Sequence, residues 1–189
     1  MQKIVIGITG RIRAGKETAA KAIASIYDVD EFASSDALYE TLRLFGVPVM
    51  RKNTQSLSTF VRSTFADTAL SCPLVQRVEK SKKHLCIISS IRRESDFSEL
   101  RKRFPFFLLF IDTPIERRYE RFLRAVKDRG DEGMTFDEFL VRDAAETETQ
   151  IDQLKSTAEC VISNVSSIED LSERVLECVR QKINTVRSQ

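Results

Sequence analysis

The first eighteen residues narrow the possible folds more than any other part of this chain. An apolar run, Lys3–Thr9, leads into Gly10-Arg11-Ile12-Arg13-Ala14-Gly15-Lys16-Glu17-Thr18, and an Ala-rich helical stretch continues to Tyr27. Glycines let such a turn wrap so that backbone N–H groups point inward at an anion. The helix N-terminus adds about half a positive charge, and Lys16 adds a full one. Oxygens of β- and γ-phosphates are the anion this cradle suits. The strict spacing G-x-x-x-x-G-K-[ST] is missed by one place, because Glu17 stands where a hydroxyl is expected and Thr18 carries it. A plain glycine turn with a solvated lysine is the bland alternative, but it does not require strand, loop and helix in this order.

Short β-type runs alternate with helical periodicity along the rest of the chain, the pattern of an α/β sheet. Five runs read as strands: Lys3–Thr9, Val29–Ala33, Leu85–Ser89, Phe106–Asp112 and Glu159–Ser163. Asp30 and Glu31 interrupt the second. Thr113-Pro114-Ile115-Glu116, Thr135-Phe136-Asp137-Glu138 and Ser166-Ser167-Ile168-Glu169 read as capping boxes, and Asn53 as a further cap. After Thr113, the residues Ile115, Tyr119, Phe122 and Val126 make a buried stripe, with Arg117, Arg121 and Arg124 on a roughly opposite face. The last helix repeats the pattern through Ile168, Leu171, Val175, Val179, Ile183 and Val186. Two stretches exceed a minimal alternation: Asp36 to Lys83, and Lys127 to Thr149 with Gly130 and Gly133. Both read as excursions over strand ends, where open α/β sheets bind ligands.

Composition sets limits on function. Thirty Lys and Arg against 28 Asp and Glu leave a net charge of +2 over 189 residues, which argues against a general nucleic-acid binder. His84 is the sole histidine, and Cys72, Cys86, Cys160 and Cys178 lack metal-ligand spacing. Cys86 and Cys160 fall in apolar runs and read as core residues of a reducing compartment. The N-terminal apolar run is too brief for a secretory signal, and Phe104–Ile111 is too short to cross a bilayer. The expectation is a cytoplasmic protein without membrane contact; oligomeric state is not set by the sequence.

Gly15-Lys16-x-Thr18 resembles the G-K-G-T of adenylate kinases and the G-K-D-T of phage deoxynucleoside monophosphate kinases. More of the chain resembles the adenylate-kinase-like and dephospho-CoA-kinase-like P-loop kinases. Ser34-Ser35-Asp36-Ala37-Leu38 falls where they carry Ser-x-x-Leu or Gly-Asp. Ile87-Ile88-Ser89-Ser90-Ile91-Arg92-Arg93 is similar to their apolar strand ending in D-G-I-R. Val161-Ile162-Ser163-Asn164-Val165-Ser166 is similar to their V-I-x-N turn beside the nucleotide base. The resemblance implies one three-layer P-loop kinase domain over 1–189 with a five-stranded parallel sheet, order 2-3-1-4-5. It also implies a helical acceptor-binding region at about 36–83 and a lid at about 114–149.

It further implies ATP and Mg²⁺ as cofactors and a small nucleotide-like acceptor. Phosphoryl transfer needs positioning and charge neutralisation more than covalent chemistry. Lys16, Arg92, Arg93, Arg121 and Asp36 are the catalytic candidates. Gly10, Arg13, Ala14, Gly15, Lys16, Glu17, Thr18, Arg117 and Asn164 are the ATP-binding ones, with Thr18 and Ser89 toward the metal. Arg62 and Arg124 are further hydrogen-bond donors toward phosphate on this reading, and Arg11 with Arg13 is a phosphate or lid contact. Relatives usually place Asp at Ser89. Asp112 imitates that acid, though helping Thr113 cap the next helix is its blander role. The departure at Ser89 keeps open an ATP-binding regulatory protein with weak or no kinase activity. A guanine-type N-K-x-D signature is missing, against a GTPase.

Overall fold

The computed structural model describes residues 2–129, 133–144 and 146–188. Five strands, β1 (Ile4–Thr9), β2 (Val29–Ala33), β3 (Leu85–Ser89), β4 (Phe106–Asp112) and β5 (Cys160–Ser163), form one parallel sheet in the order β2-β3-β1-β4-β5. Both the strand bounds and the order are those expected from the sequence, apart from one residue at the start of β1 and of β5. Strand β1 is buried throughout, as an apolar run in mid-sheet must be. Strand β2 lies at an edge and is only half-covered. That position is why it tolerates Asp30 and Glu31.

The helices are α1 (Lys16–Ile26), α2 (Asp36–Leu44), α3 (Arg51–Thr64), α4 (Ser71–Lys80), α5 (Ser98–Arg103), α6 (Ile115–Arg129), α7 (Phe136–Asp143), α8 (Glu146–Gln153) and α9 (Ile168–Arg187). The chain groups into two compact units. One holds Met1–Gly7 and Asp28–Phe107; the other holds Ile8–Tyr27 and Leu108–Gln189.

In the first unit, α4 buries Leu74, Val75 and Val78, while Phe97 stacks on Phe106 at 4.8 Å between ring centres. Lys3 donates to the carbonyls of Val78, Glu79 and Ser81 at 2.6–2.7 Å. In the second unit, α1 buries Ala19, Ala20, Ala22 and Ile23 and packs on α9, whose Leu171, Val175, Val179 and Ile183 are buried. Small alanines permit that close approach. Phe139 of α7 packs against Tyr119 and Phe122 of α6, each at 5.5 Å.

Several local expectations are corrected. Thr135 does form its capping box with Glu138. The cap of α9 is Ser167, which accepts from the Asp170 N–H, rather than Ser166, and Ile168 just beyond it is exposed. Asn53 lies inside α3 and donates to the Pro48 carbonyl instead of capping. Helix α6 starts at Ile115, and the Thr113 hydroxyl is spent on Ala14, at 2.8 Å. Cys160 is not a core thiol: it is disulfide-bonded to Cys178, joining β5 to α9, whereas Cys86 is free and buried as expected. No helix among the described residues is long and apolar enough to cross a membrane.

Candidate functional site

Strand β1 delivers the chain directly into the glycine loop. Gly10 (φ +143°) and Gly15 (φ +107°) take left-handed backbone that L-residues rarely adopt. A Cβ on Gly10 would lie 2.5 Å from the Ile111 carbonyl oxygen, and one on Gly15 would strike the Asn164 amide. Both positions therefore demand glycine twice over, by torsion and by space. Gly15 is also the N-cap of α1 and gives it no side-chain cap. The helix thus meets the loop with its positive end and without a competing side-chain oxygen. Lys16 turns back over the loop, donating to the carbonyls of Gly10 at 2.6 Å and Arg11 at 2.9 Å.

The carbonyls of the loop are taken up by residues of later elements in the same unit. Ala14 accepts from three donors: Thr113 Oγ1 at 2.8 Å, Asn164 Nδ2 at 2.7 Å and an Arg121 NH1 at 3.2 Å. Arg121 also reaches the Arg13 carbonyl at 3.4 Å and both oxygens of Asn164, at 3.1 and 3.2 Å. Arg13 itself stands at φ 61°, a left-handed turn for a non-glycine residue. Burial lowers the pKa of Arg121, and the nearby cations Arg117 and Arg124 lower it further. A guanidinium with cationic neighbours favours an approaching anion.

Of the ATP-binding candidates, Gly10, Arg13, Ala14, Gly15, Lys16, Thr18 and Asn164 are gathered in or against this loop. Glu17 is exposed in the first turn of α1. Arg117 is exposed and pairs with Glu120 at 3.2 Å, and Arg124 is exposed. The Asp112 carboxylate does not cap α6 but pairs with Lys155 at 2.7 Å. Gly130 lies outside the described residues.

The sequence reading missed Arg118 and Asp143. Arg118 sits on the apolar stripe of α6 and, at 3% exposure, is deeper than Ile115, Tyr119, Phe122 or Val126. It binds both carboxylate oxygens of Asp143. A charge three residues after Ile115 and four before Phe122 was the available signal. Arg11, read from the sequence as a phosphate or lid contact, pairs with Asp143 at 2.7 Å and Asp152 at 2.5 Å. The hydrogen bond from Arg11 holds the Asp152 carboxyl below its usual range, and Asp152 in turn raises the Arg11 guanidinium.

The remaining candidates belong to the first unit. Asp36 accepts the Ala33 N–H at 2.8 Å and lies 3.8 Å from Arg77, so it fastens the turn between β2 and α2. Ser89 ends β3, half-buried, with its carbonyl accepting the Ser34 N–H. Beyond it Ser90 stands at φ 61°. The backbone N–H groups of Arg92 and Arg93 donate to one oxygen of buried Asp96, at 2.8 and 3.0 Å. The other Asp96 oxygen takes Arg62, which also binds Asp67 and Ser95. Arg62 is therefore a structural tie. A hydrogen bond with Ser95, helped by Arg62 and Arg93, keeps Asp67 below its usual pKa.

No family model matches the chain. The UPF0200 protein of Methanoculleus marisnigri is 26% identical over 174 residues, spanning 90% of this chain and 92% of that relative. The solved structure of TT1252 from Thermus thermophilus superposes with a TM-score of 0.59 at 25% identity, covering 96% of this chain and 98% of that one. A gluconokinase from Sinorhizobium meliloti gives 0.54 at 15% identity, covering 100% and 97%. With the sheet order and the glycine loop, these likenesses establish the fold.

Proposed function

We propose, for a chain that has the P-loop kinase fold, the ATP-dependent transfer of a phosphoryl group to a nucleotide or nucleotide-like acceptor. One observation carries this reading. The carbonyls of residues 12–14 accept from α6, Thr113 and Asn164, while Lys16 and the uncapped end of α1 converge on the loop. Such a loop is held from its carbonyl side and presents positive charge on the other.

Lys16 would neutralise the β- and γ-phosphates of the donor, and Arg121 would add charge where its neighbours leave it most responsive to an anion. Arg92 and Arg93, held by Asp96, would take the acceptor phosphate. Asp36 remains the proposed acid-base residue, with its carboxylate already partly engaged. Among the described residues no three or more His, Cys, Asp or Glu side chains are grouped for a metal. Mg²⁺ keeps most of its waters and leans on substrate phosphates, so the Thr18 hydroxyl fits as its protein ligand. When bound it supplies neutralisation of phosphate charge. The reading also places the protein in the cytoplasm, where ATP is available.

A coupled ADP-release assay across nucleoside and deoxynucleoside monophosphates and dephospho-CoA tests the assignment. Acceptor-stimulated turnover is expected, and its absence from folded protein would overturn the reading. Lys16→Ala should lower kcat by about 10²–10³, by analogy with the loss of one charge-stabilising donor.

A second reading is ATP binding with little or no transfer. It is favoured by Ser89, which carries no charge, and by the engagement of Asp36 and Asp112 with Ala33, Arg77 and Lys155. It predicts tight ATP binding weakly dependent on Mg²⁺, with turnover gained in Ser89→Asp. Ordinary kinase rates, about 1–100 per second, from the unmodified protein would exclude it.

A further inference from the structure

Asp143, the last residue of α7, is 4% exposed and faces two arginines from different parts of the chain. Arg118 of α6 takes it with both terminal nitrogens, the second at 2.8 Å, and sends its Nε to the Thr113 carbonyl at 3.0 Å. Arg11 of the glycine loop donates one nitrogen to the Asp143 carboxylate at 2.7 Å and to the Asp143 carbonyl at 2.6 Å. Its other nitrogens go to Asp152, at 2.9 and 2.5 Å. Two cations and two anions thus close a neutral cluster, and of the two carboxylates Asp143 is the one that touches both arginines.

We propose that Asp143 is a positioning residue for the phosphate loop, fixing the Arg11–Ala14 turn by holding Arg11 and Arg118 on one buried carboxylate. This rests on the functional reading above for its consequence in catalysis, but not for its geometry. Arg118 also reaches the Ile12 carbonyl at 3.5 Å, and Ala14 donates to the Arg11 carbonyl at 3.1 Å within the same turn. Without the Asp143 charge, the buried Arg118 loses the carboxylate it is hydrogen-bonded to, so it must move toward water and release the loop carbonyl it faces. Arg11 keeps Asp152, which is about half exposed and gives the loop a looser tether.

The test is Asp143→Asn, which preserves size and removes the charge. In the nucleotide-free protein, hydrogen exchange of the Ala14 amide should speed up about tenfold or more while amides of β3 stay protected. Unchanged Ala14 exchange in folded Asp143→Asn overturns the proposal. With ATP and the acceptor that turns over best, kcat/KM should fall about 10–100-fold, as expected when a catalytic loop is misplaced by about 1 Å. Full kcat/KM in the variant, with an active parent, also overturns it. If the parent protein neither binds nor uses ATP, the functional reading fails, and the exchange measurement alone decides this one. Should Asp143→Asn not fold, Arg11→Gln leaves the Asp143–Arg118 pair intact and must give the same faster Ala14 exchange; its absence counts against the proposal. Adding Arg11→Gln to Asp143→Asn should cost less than the two changes summed, because both act on one tie.

Discussion

The glycine loop and the arm formed by α2 and α3 are built in opposite ways. The loop spans nine residues from Gly10 to Thr18, yet it is gripped by Thr113, Arg118, Arg121, Asp143, Asp152 and Asn164, all from distant parts of the sequence. The arm is longer and, beyond Leu38 and Leu42 of α2 and the Arg62–Asp96 tie of α3, less committed. Helix α3 has no buried residue in 14, and Leu44, Phe45, Met50, Phe60 and Phe65 are exposed, Leu44 to 86%. Regions with few buried apolar contacts are those that open at low free energy.

The contrast can be broken most sharply with two phenylalanines. Phe139 of α7 is fully buried against α6, so Phe139→Ala should cost about 3–5 kcal/mol of unfolding free energy in denaturant titration. Phe60→Ala on the arm should fall within about 0.5 kcal/mol of the parent. Equal losses would mean that the arm is packed after all.

Gly15→Ala comes next. The left-handed torsion and the Asn164 amide both oppose a methyl group there, and about 1–3 kcal/mol is expected. Gly46, also at positive φ, lies in the arm with nothing within 4 Å of a Cβ. Gly46→Ala should therefore show the torsional cost alone, about 1 kcal/mol. A larger loss at Gly46 than at Gly15, read from the same melts, would reverse the comparison.

The smallest effect is in acid. Arg11 depresses the Asp152 pKa in the folded chain, so its contribution is fully present above the unfolded value of about 3.9 and is lost as pH falls through the lower folded value. Asp152→Asn should flatten the drop in melting temperature below about pH 4, leaving neutral-pH stability only slightly reduced. An unaltered acid limb would show that the pair is not maintained in solution.

The frame of the molecule was legible because it depends on local pattern. Apolar runs such as Phe106–Asp112 announce strands wherever they stand, and the glycine positions announce the loop. The braces were not legible, because they join residues up to 150 positions apart, as Asn164 joins Ala14. Thr113 illustrates the difference. By local rules it is a helix cap, and tertiary structure instead spends its hydroxyl on Ala14. Cys160 is another case: nothing in its apolar run reveals that Cys178 faces it across β5 and α9. Arg118 is the instructive omission, a charge on a buried stripe that reads as an irregularity until Asp143 is found opposite.

The pairing of β1 with β3 also bears on how the protein is made. Ile4 comes into register with Leu85, roughly eighty residues later in the chain. On a ribosome adding about 5–20 residues per second, the first strand must wait about 4–16 s for its neighbour. During that interval β1 is an unpaired apolar ribbon, dependent on the tunnel or on a chaperone for cover.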